Sequence, residues 1–331
     1  MSVPTFLRTR WAQRSPAAGA AITAAGAAVM ATGILSVGLH LTGYEALSRV
    51  VLGLACVAWA VLAAGFGVRL VRDPERWRAE AGAPGGLTAV AATAVLGTRF
   101  SALGRQTLAE ALLAPAAVLW PLLLVQVARH WRRPMPGAVF LCCVATQGLA
   151  VLAATLAGAE ATAWLAHAAL VLFWLGLVLY CCALALFDLR QVTEGPGDQW
   201  MAGGALAISA LAGSKLVAAD SARLYLWNDD DRGVLRAVTL ALLVLDLAWY
   251  AVLLVAEAVR PRRGYDVRRW STVFPLGMTA AAVLSVAAAL DAPRLKGPGE
   301  VLLWIAVAAW LAVAAGAVAA ARAGIRSTAP R

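Results

Sequence analysis

Four side chains that carry charge or a proton lie within or at the ends of long apolar stretches: His40, Arg99, Lys215 and Asp246. Lipid makes such burial expensive, so each is a functional candidate. Arg99 and Lys215 sit near one end of their stretches, Lys215 roughly 8 Å deep. His40 closes the first stretch. If the helices that bear them surround a path, the three form a positive outer vestibule that draws in anions. The alternative for each is snorkelling to the headgroups. Asp246, in Leu242-Leu243-Val244-Leu245-Asp246-Leu247, falls near the middle of its stretch. A lone carboxylate there pairs with a cation, Lys215 being the most reachable, or holds a proton for coupling.

A fifth candidate is apolar. Arg269-Trp270-Ser271-Thr272-Val273-Phe274-Pro275-Leu276-Gly277 opens the ninth stretch. Pro275 cannot donate to the helix ladder, so the backbone bends beside the Phe274 ring. Such a ring can plug a narrow path, and it can equally be a packing kink. Enzyme signatures are missing. His40, His130 and His167 fall in separate segments without metal-ligand spacing. Cys142-Cys143 and Cys181-Cys182 are adjacent pairs, pointing about 100° apart on a helix, and read as small packing residues. No phosphate-cradling loop or nucleophile elbow is present. The residues therefore predict no catalytic site, no metal and no cofactor.

The elements that hold these positions are membrane spans. The chain of 331 residues is 62% hydrophobic and 14% charged, against about 25% charged in soluble domains. Spans are expected near 17–41, 47–71, 86–104, 107–129, 137–158, 161–187, 201–220, 235–257, 268–290 and 300–322. They fill the chain as a single transmembrane domain, residues 1–331. The first is too long for a signal-peptide core and is expected to be retained. Short connections make consecutive spans antiparallel neighbours, hence five helical hairpins. With the N-terminus inside, inner segments collect 19 Arg and Lys and outer segments eight. This predicts cytoplasmic termini in a multi-pass plasma (inner) membrane protein. The net charge of +10 sets topology. Nucleic acid is not an expected partner, because no soluble face presents the basic residues together. Asp229-Asp230-Asp231 is expected in a solvated outer loop.

Five hairpins of one orientation can close around an axis normal to the membrane. The odd spans carry small and polar residues, such as Gly26, Gly33 and Ser36 in the first and Thr146, Gln147 and Gly148 in the fifth. The even spans carry bulky runs such as Leu170-Val171-Leu172-Phe173-Trp174-Leu175. Small residues suit close helix packing and bulky ones suit lipid. Odd helices would then face the axis, with Gln147 a candidate pore-lining residue. General packing through small residues, without a ring, is the other arrangement.

Three segments resemble one family. They are Gly26-Ala27-Ala28-Val29-Met30-Ala31-Thr32-Gly33-Ile34-Leu35-Ser36, Val144-Ala145-Thr146-Gln147-Gly148-Leu149-Ala150-Val151-Leu152-Ala153-Ala154 and Trp270-Ser271-Thr272-Val273-Phe274-Pro275-Leu276-Gly277-Met278. A weaker match is Ala207-Ile208-Ser209-Ala210-Leu211-Ala212-Gly213. The chain is similar to the tellurite-resistance/C4-dicarboxylate transporter family, which includes fungal malate permeases, sulfite efflux pumps and plant slow-type anion channels. The resemblance implies an all-α integral membrane fold: ten transmembrane helices, five hairpins, and a quasi-five-fold ring around a central pore. It implies odd helices at the pore, an occluding ring at Phe274, and assembly as a homotrimer. The function it implies is transport of a small anion, namely C4-dicarboxylate, tellurite, sulfite or an inorganic anion, across the lipid bilayer through a narrow apolar pore gated by an aromatic ring. Asp246 departs from the family pattern. The alternatives are a membrane enzyme or redox subunit, or a structural subunit that transports nothing.

Overall fold

Lipid offers the backbone no hydrogen-bond partner, so a spanning chain closes its bonds within helices or around a barrel. This chain does so with helices. The computed structural model describes residues 24–75, 77, 82–220, 224, 226–262 and 265–328. The start of the first expected span, and Arg8, Arg10, Arg14, Arg76, Arg78, Arg223, Arg263 and Arg331 of the charge count, lie outside the described residues.

We label the long helices α1 (Ala24–Leu41), α2 (Glu45–Arg72), α3 (Thr88–Ala102), α4 (Gln106–Ala128), α5 (Leu141–Glu160), α6 (Ala163–Leu186), α7 (Met201–Ala219), α8 (Asp229–Val259), α9 (Trp270–Ala289) and α10 (Lys296–Thr328). Among the described residues, nine are long and apolar enough to cross a membrane. The exception is α3, whose 15 residues rise only about 22 Å. A 3-10 turn, Pro84–Leu87, leads into it, because Pro84 and the following Gly85-Gly86 delay the regular helix. A span over 86–104 was expected there. A second difference lies at α8. Asp229, Asp230 and Asp231 form its first turn and remain exposed, with Asn228 as the cap accepting from the Asp231 amide at 2.7 Å. Three carboxylates suit the positive end of a helix dipole better than a loop.

Burial separates the helices into two classes. In the most apolar window of α1, α5, α7 and α9, between 78% and 94% of residues are buried. In the even helices the share is between 11% and 33%. The odd helices thus form the inside and the even helices the exposed, apolar outside. Glycines mark where the odd helices meet. Gly33 meets Val95 of α3, Gly97 meets Leu152 of α5, and Gly148 meets Ile208 of α7. Gly204 of α7 lies under Pro275 of α9, where a methyl would come 2.9 Å from Cγ. Gly277 meets Ile34, so the contacts return to α1.

The outer helices are pinned to the inner ones by a repeated bond. Trp59 of α2 donates its indole N–H to Thr93 of α3 at 2.9 Å, Trp120 of α4 to Thr146 of α5 at 2.8 Å, and Trp310 of α10 to Thr32 of α1 at 2.9 Å. Each threonine in turn donates to its own helix, to the carbonyl of Ala89, Cys142 or Ala28. The indole therefore supplies the donor that the hydroxyl oxygen still lacks. Trp120→Phe keeps most of the packing and removes that donor. It is expected to cost about 1 kcal/mol, checked as a lower melting temperature in detergent with helicity unchanged.

Candidate functional site

A narrow cavity lies where the five odd helices converge. It is lined by Ile34 and Val37 of α1, Val95 and Thr98 of α3, Gly148 and Val151 of α5, Ile208 and Leu211 of α7, and Met278 of α9. Four helices contribute a pair three residues apart, which is one helical turn on one face. Its volume of about 10 Å³ is close to the smallest that admits a single water. The lone lining hydroxyl, on Thr98, is already bonded to the Ala94 carbonyl at 2.9 Å. An ion here would lose its hydration and gain no ligand.

Phe274 is fully buried and lies four residues before Met278, hence on the same face of α9. It sits one turn closer to the end of the bundle where α9 starts. That end is Arg-rich, with Arg69, Arg72, Arg129, Arg260 and Arg268. Pro275 opposes the Ser271 carbonyl, which loses its helix donor, and its ring is seated on Gly204. The first turn of α9 is anchored separately. Arg262 donates to Thr272 Oγ1 at 3.2 Å and pairs with Glu257 at the end of α8. Just before it, Asp266 caps the turn by accepting from the Arg268 amide at 2.8 Å. The Arg268 side-chain bond holds the Asp266 carboxyl below the usual carboxylate range. The contribution of that bond is present above the unfolded-state value and fades as pH falls through the folded one.

Two vestibule candidates come together, but on a partner the sequence did not suggest. Arg99 is fully buried. Its Nε donates to Ser48 Oγ at 3.0 Å and its Nη2 to Glu45 Oε1 at 2.8 Å. Glu45 also pairs with Arg49 at 3.0 Å and with His40 Nδ1 at 2.7 Å. Ser48 and Ser36 exchange bonds across α1 and α2. The guanidinium head of Arg99 is thus engaged by α2, and its charge is answered by Glu45. Lys215 stands apart from this cluster, half-buried near the other end of α7 from Met201.

Gln147 is buried, yet it donates to the Phe173 carbonyl of α6 at 3.0 Å and packs on Gly176. It faces an outer helix, and its neighbour Gly148 lines the cavity instead. The expected Lys215–Asp246 pair does not form. Asp246 Oδ1 lies beside Gly203 and accepts from Thr279 of α9 at 3.1 Å. Lys215 is about 18 Å further along α7. The antiparallel register of α7 and α8 sets Gly213 against Thr239, which carries Asp246 away from the lysine.

An apolar pore was expected from the sequence, but the aliphatic residues that line the cavity were not picked out, and Glu45 was missed. The lining had a signal: Ile34, Gly148, Val151, Ile208, Leu211 and Met278 all fall inside the segments that carried the family resemblance. Glu45 had one as well, being the only acid between Gly26 and Arg72.

A family model described as a voltage-dependent anion channel matches residues 23–318. The chain belongs to this family, whose members carry anions across membranes and are channels and transporters rather than enzymes. No curated protein matches the chain.

Proposed function

We propose that this protein conducts small anions through the path between its five odd helices, and that the Phe274 ring gates it. The observation that carries this is the apolar cavity, touched by all five odd helices and about one water wide, with Phe274 one turn below it. A constriction of this kind closes by excluding water and opens by wetting. Selectivity then follows how readily an ion sheds its hydration shell. Among C4-dicarboxylate, tellurite, sulfite and inorganic anions, singly charged ions with weak hydration would pass most easily. The basic residues at the Arg-rich end raise the local anion concentration. Lys215 supplies the unpaired charge at the opposite mouth: among the described residues no carboxylate pairs with it. In this arrangement the odd helices form the quasi-five-fold ring, the even helices face lipid, and three copies assemble in the plasma membrane. The test is anion efflux from liposomes holding the purified protein, run against a panel of anions with and without a pH gradient.

The Arg bias supports an orientation as well. The termini and the segment from Arg260 to Arg269 are cytoplasmic, and the start of α8 is external. A cysteine at Asp230 should react with an impermeant reagent applied to intact cells, and one at Arg260 should not. The reverse pattern would invert the topology.

A further inference from the structure

Among the described residues, three of the five odd helices are clamped by a tryptophan from an outer helix, and the helix that bears Phe274 is clamped differently. Thr279, next to Met278 in the cavity wall, donates to Asp246 Oδ1 of α8 at 3.1 Å. Asp246 is fully buried and its Oδ2 has no hydrogen-bond partner among the described residues. An indole is at hand on α8, three residues on at Trp249, but its N–H is buried with no partner among the described residues. A carboxylate has therefore taken the place that an indole holds at α2–α3, α4–α5 and α10–α1. It lies behind α9 and outside the cavity lining, so it does not touch a permeating ion.

Among the described residues no cation pairs with Asp246. The element facing it from α7 is Gly203, 3.9 Å away from where a side chain would begin. Tyr180 of α6 and Tyr250 of α8 are the titratable groups that feel its charge. Thr279 faces it from α9.

We propose that Asp246 is a positioning residue for the gate, setting the placement of α9 through Thr279 in a way that follows its own protonation. This rests on the reading of Phe274 as the gate. An ionised carboxylate only accepts, so the Thr279 hydroxyl must point to it. A protonated carboxyl can donate to the Thr279 oxygen instead. The hydroxyl is then released to bond the carbonyl four residues back, as Thr32, Thr93 and Thr146 do on their helices. For Thr279 that carbonyl belongs to Pro275, directly after Phe274. Back-bonding of this kind bends a helix, and here it acts at Pro275, the residue next to the ring. The indole clamps cannot change state, so among the described residues only α9 carries a switchable one.

The test is anion flux per assembled channel in liposomes, from about pH 5 to about pH 8, for the full-length protein, Asp246→Asn, Thr279→Val, Thr279→Ser and Phe274→Ala. Wild-type flux should change about fivefold across the range, the weight of one hydrogen bond. Asp246→Asn and Thr279→Val should flatten the profile and shift the permeability ratio between chloride and nitrate. Thr279→Ser, which keeps the hydroxyl, should retain both. A Thr279→Val or Asp246→Asn channel with the wild-type pH profile would overturn the proposal. So would lowered yield with unchanged flux per channel, which leaves Asp246 a packing role only. Phe274→Ala separates the two levels. If it raises flux while the Asp246 and Thr279 variants behave as wild type, the gate stands and the tether falls. If it leaves flux unchanged, the gate reading itself falls.

Discussion

Phe274→Ala is expected to raise anion flux by at least about tenfold, equivalent to about 1.4 kcal/mol off the barrier, and to weaken discrimination among anions. The ring is fully buried one turn from a cavity that barely admits a water. A phenyl group fills volume there and offers an anion nothing in exchange for its hydration shell. Truncation joins the vacated space to the cavity, and a wetted gap lowers the desolvation barrier. The same change removes core packing and is expected to cost about 3 kcal/mol of stability. Flux must therefore be expressed per assembled channel. Phe274→Leu restores bulk with a flexible side chain and should fall between the two. A well-assembled Phe274→Ala protein with equal or lower conductance would mean that the ring packs the bundle and gates nothing.

The second large effect concerns Glu45. Glu45→Ala is expected to lower stability by about 3 kcal/mol, the low end for stripping the partner from a buried charge, because Glu45 itself is about one third exposed. Arg99 has no exposed surface, and two of its nitrogens are committed to Glu45 and Ser48. Arg49 and His40, which also bond Glu45, lie nearer water and can rehydrate. The diagnostic variant is the double change Glu45→Ala with Arg99→Leu. Removing both charges should recover much of the loss, because an apolar side chain fits a dry site without a counter-charge. Thermal unfolding in detergent reads both. A loss below about 1 kcal/mol for Glu45→Ala, typical of surface pairs, would mean that Arg99 reaches water by another route.

These two sites differ in how far the sequence revealed them. The burial of Phe274 beside Pro275 on an inner helix follows a local signal, an aromatic next to a proline at the start of a span, whereas its gating role is our proposal. The inside–outside division was readable for a similar reason. Glycines and bulky residues segregate between odd and even spans, and close packing and lipid contact ask for different side chains. The partners of the buried charges were not readable. Asp246 was expected beside Lys215 because the two share a hairpin, but hairpin register depends on which residue of α8 settles against Gly203 and Gly213. Arg99 was expected to face a path. Its actual partner, Glu45, lies on α2, and only three-dimensional packing of α1, α2 and α3 brings the two together. Gln147 shows the same limit at finer scale. A rotation of about 100° separates it from Gly148, so one faces α6 and the other the cavity.

The most direct measurement is the reversal potential of the purified protein in a planar bilayer under a salt gradient, with chloride as the only permeant anion. Conduction of anions between the odd helices requires the potential to lie near the chloride equilibrium value and to stay there when the cation is exchanged. A membrane current that follows the cation, or no current from a folded and assembled protein, would contradict it.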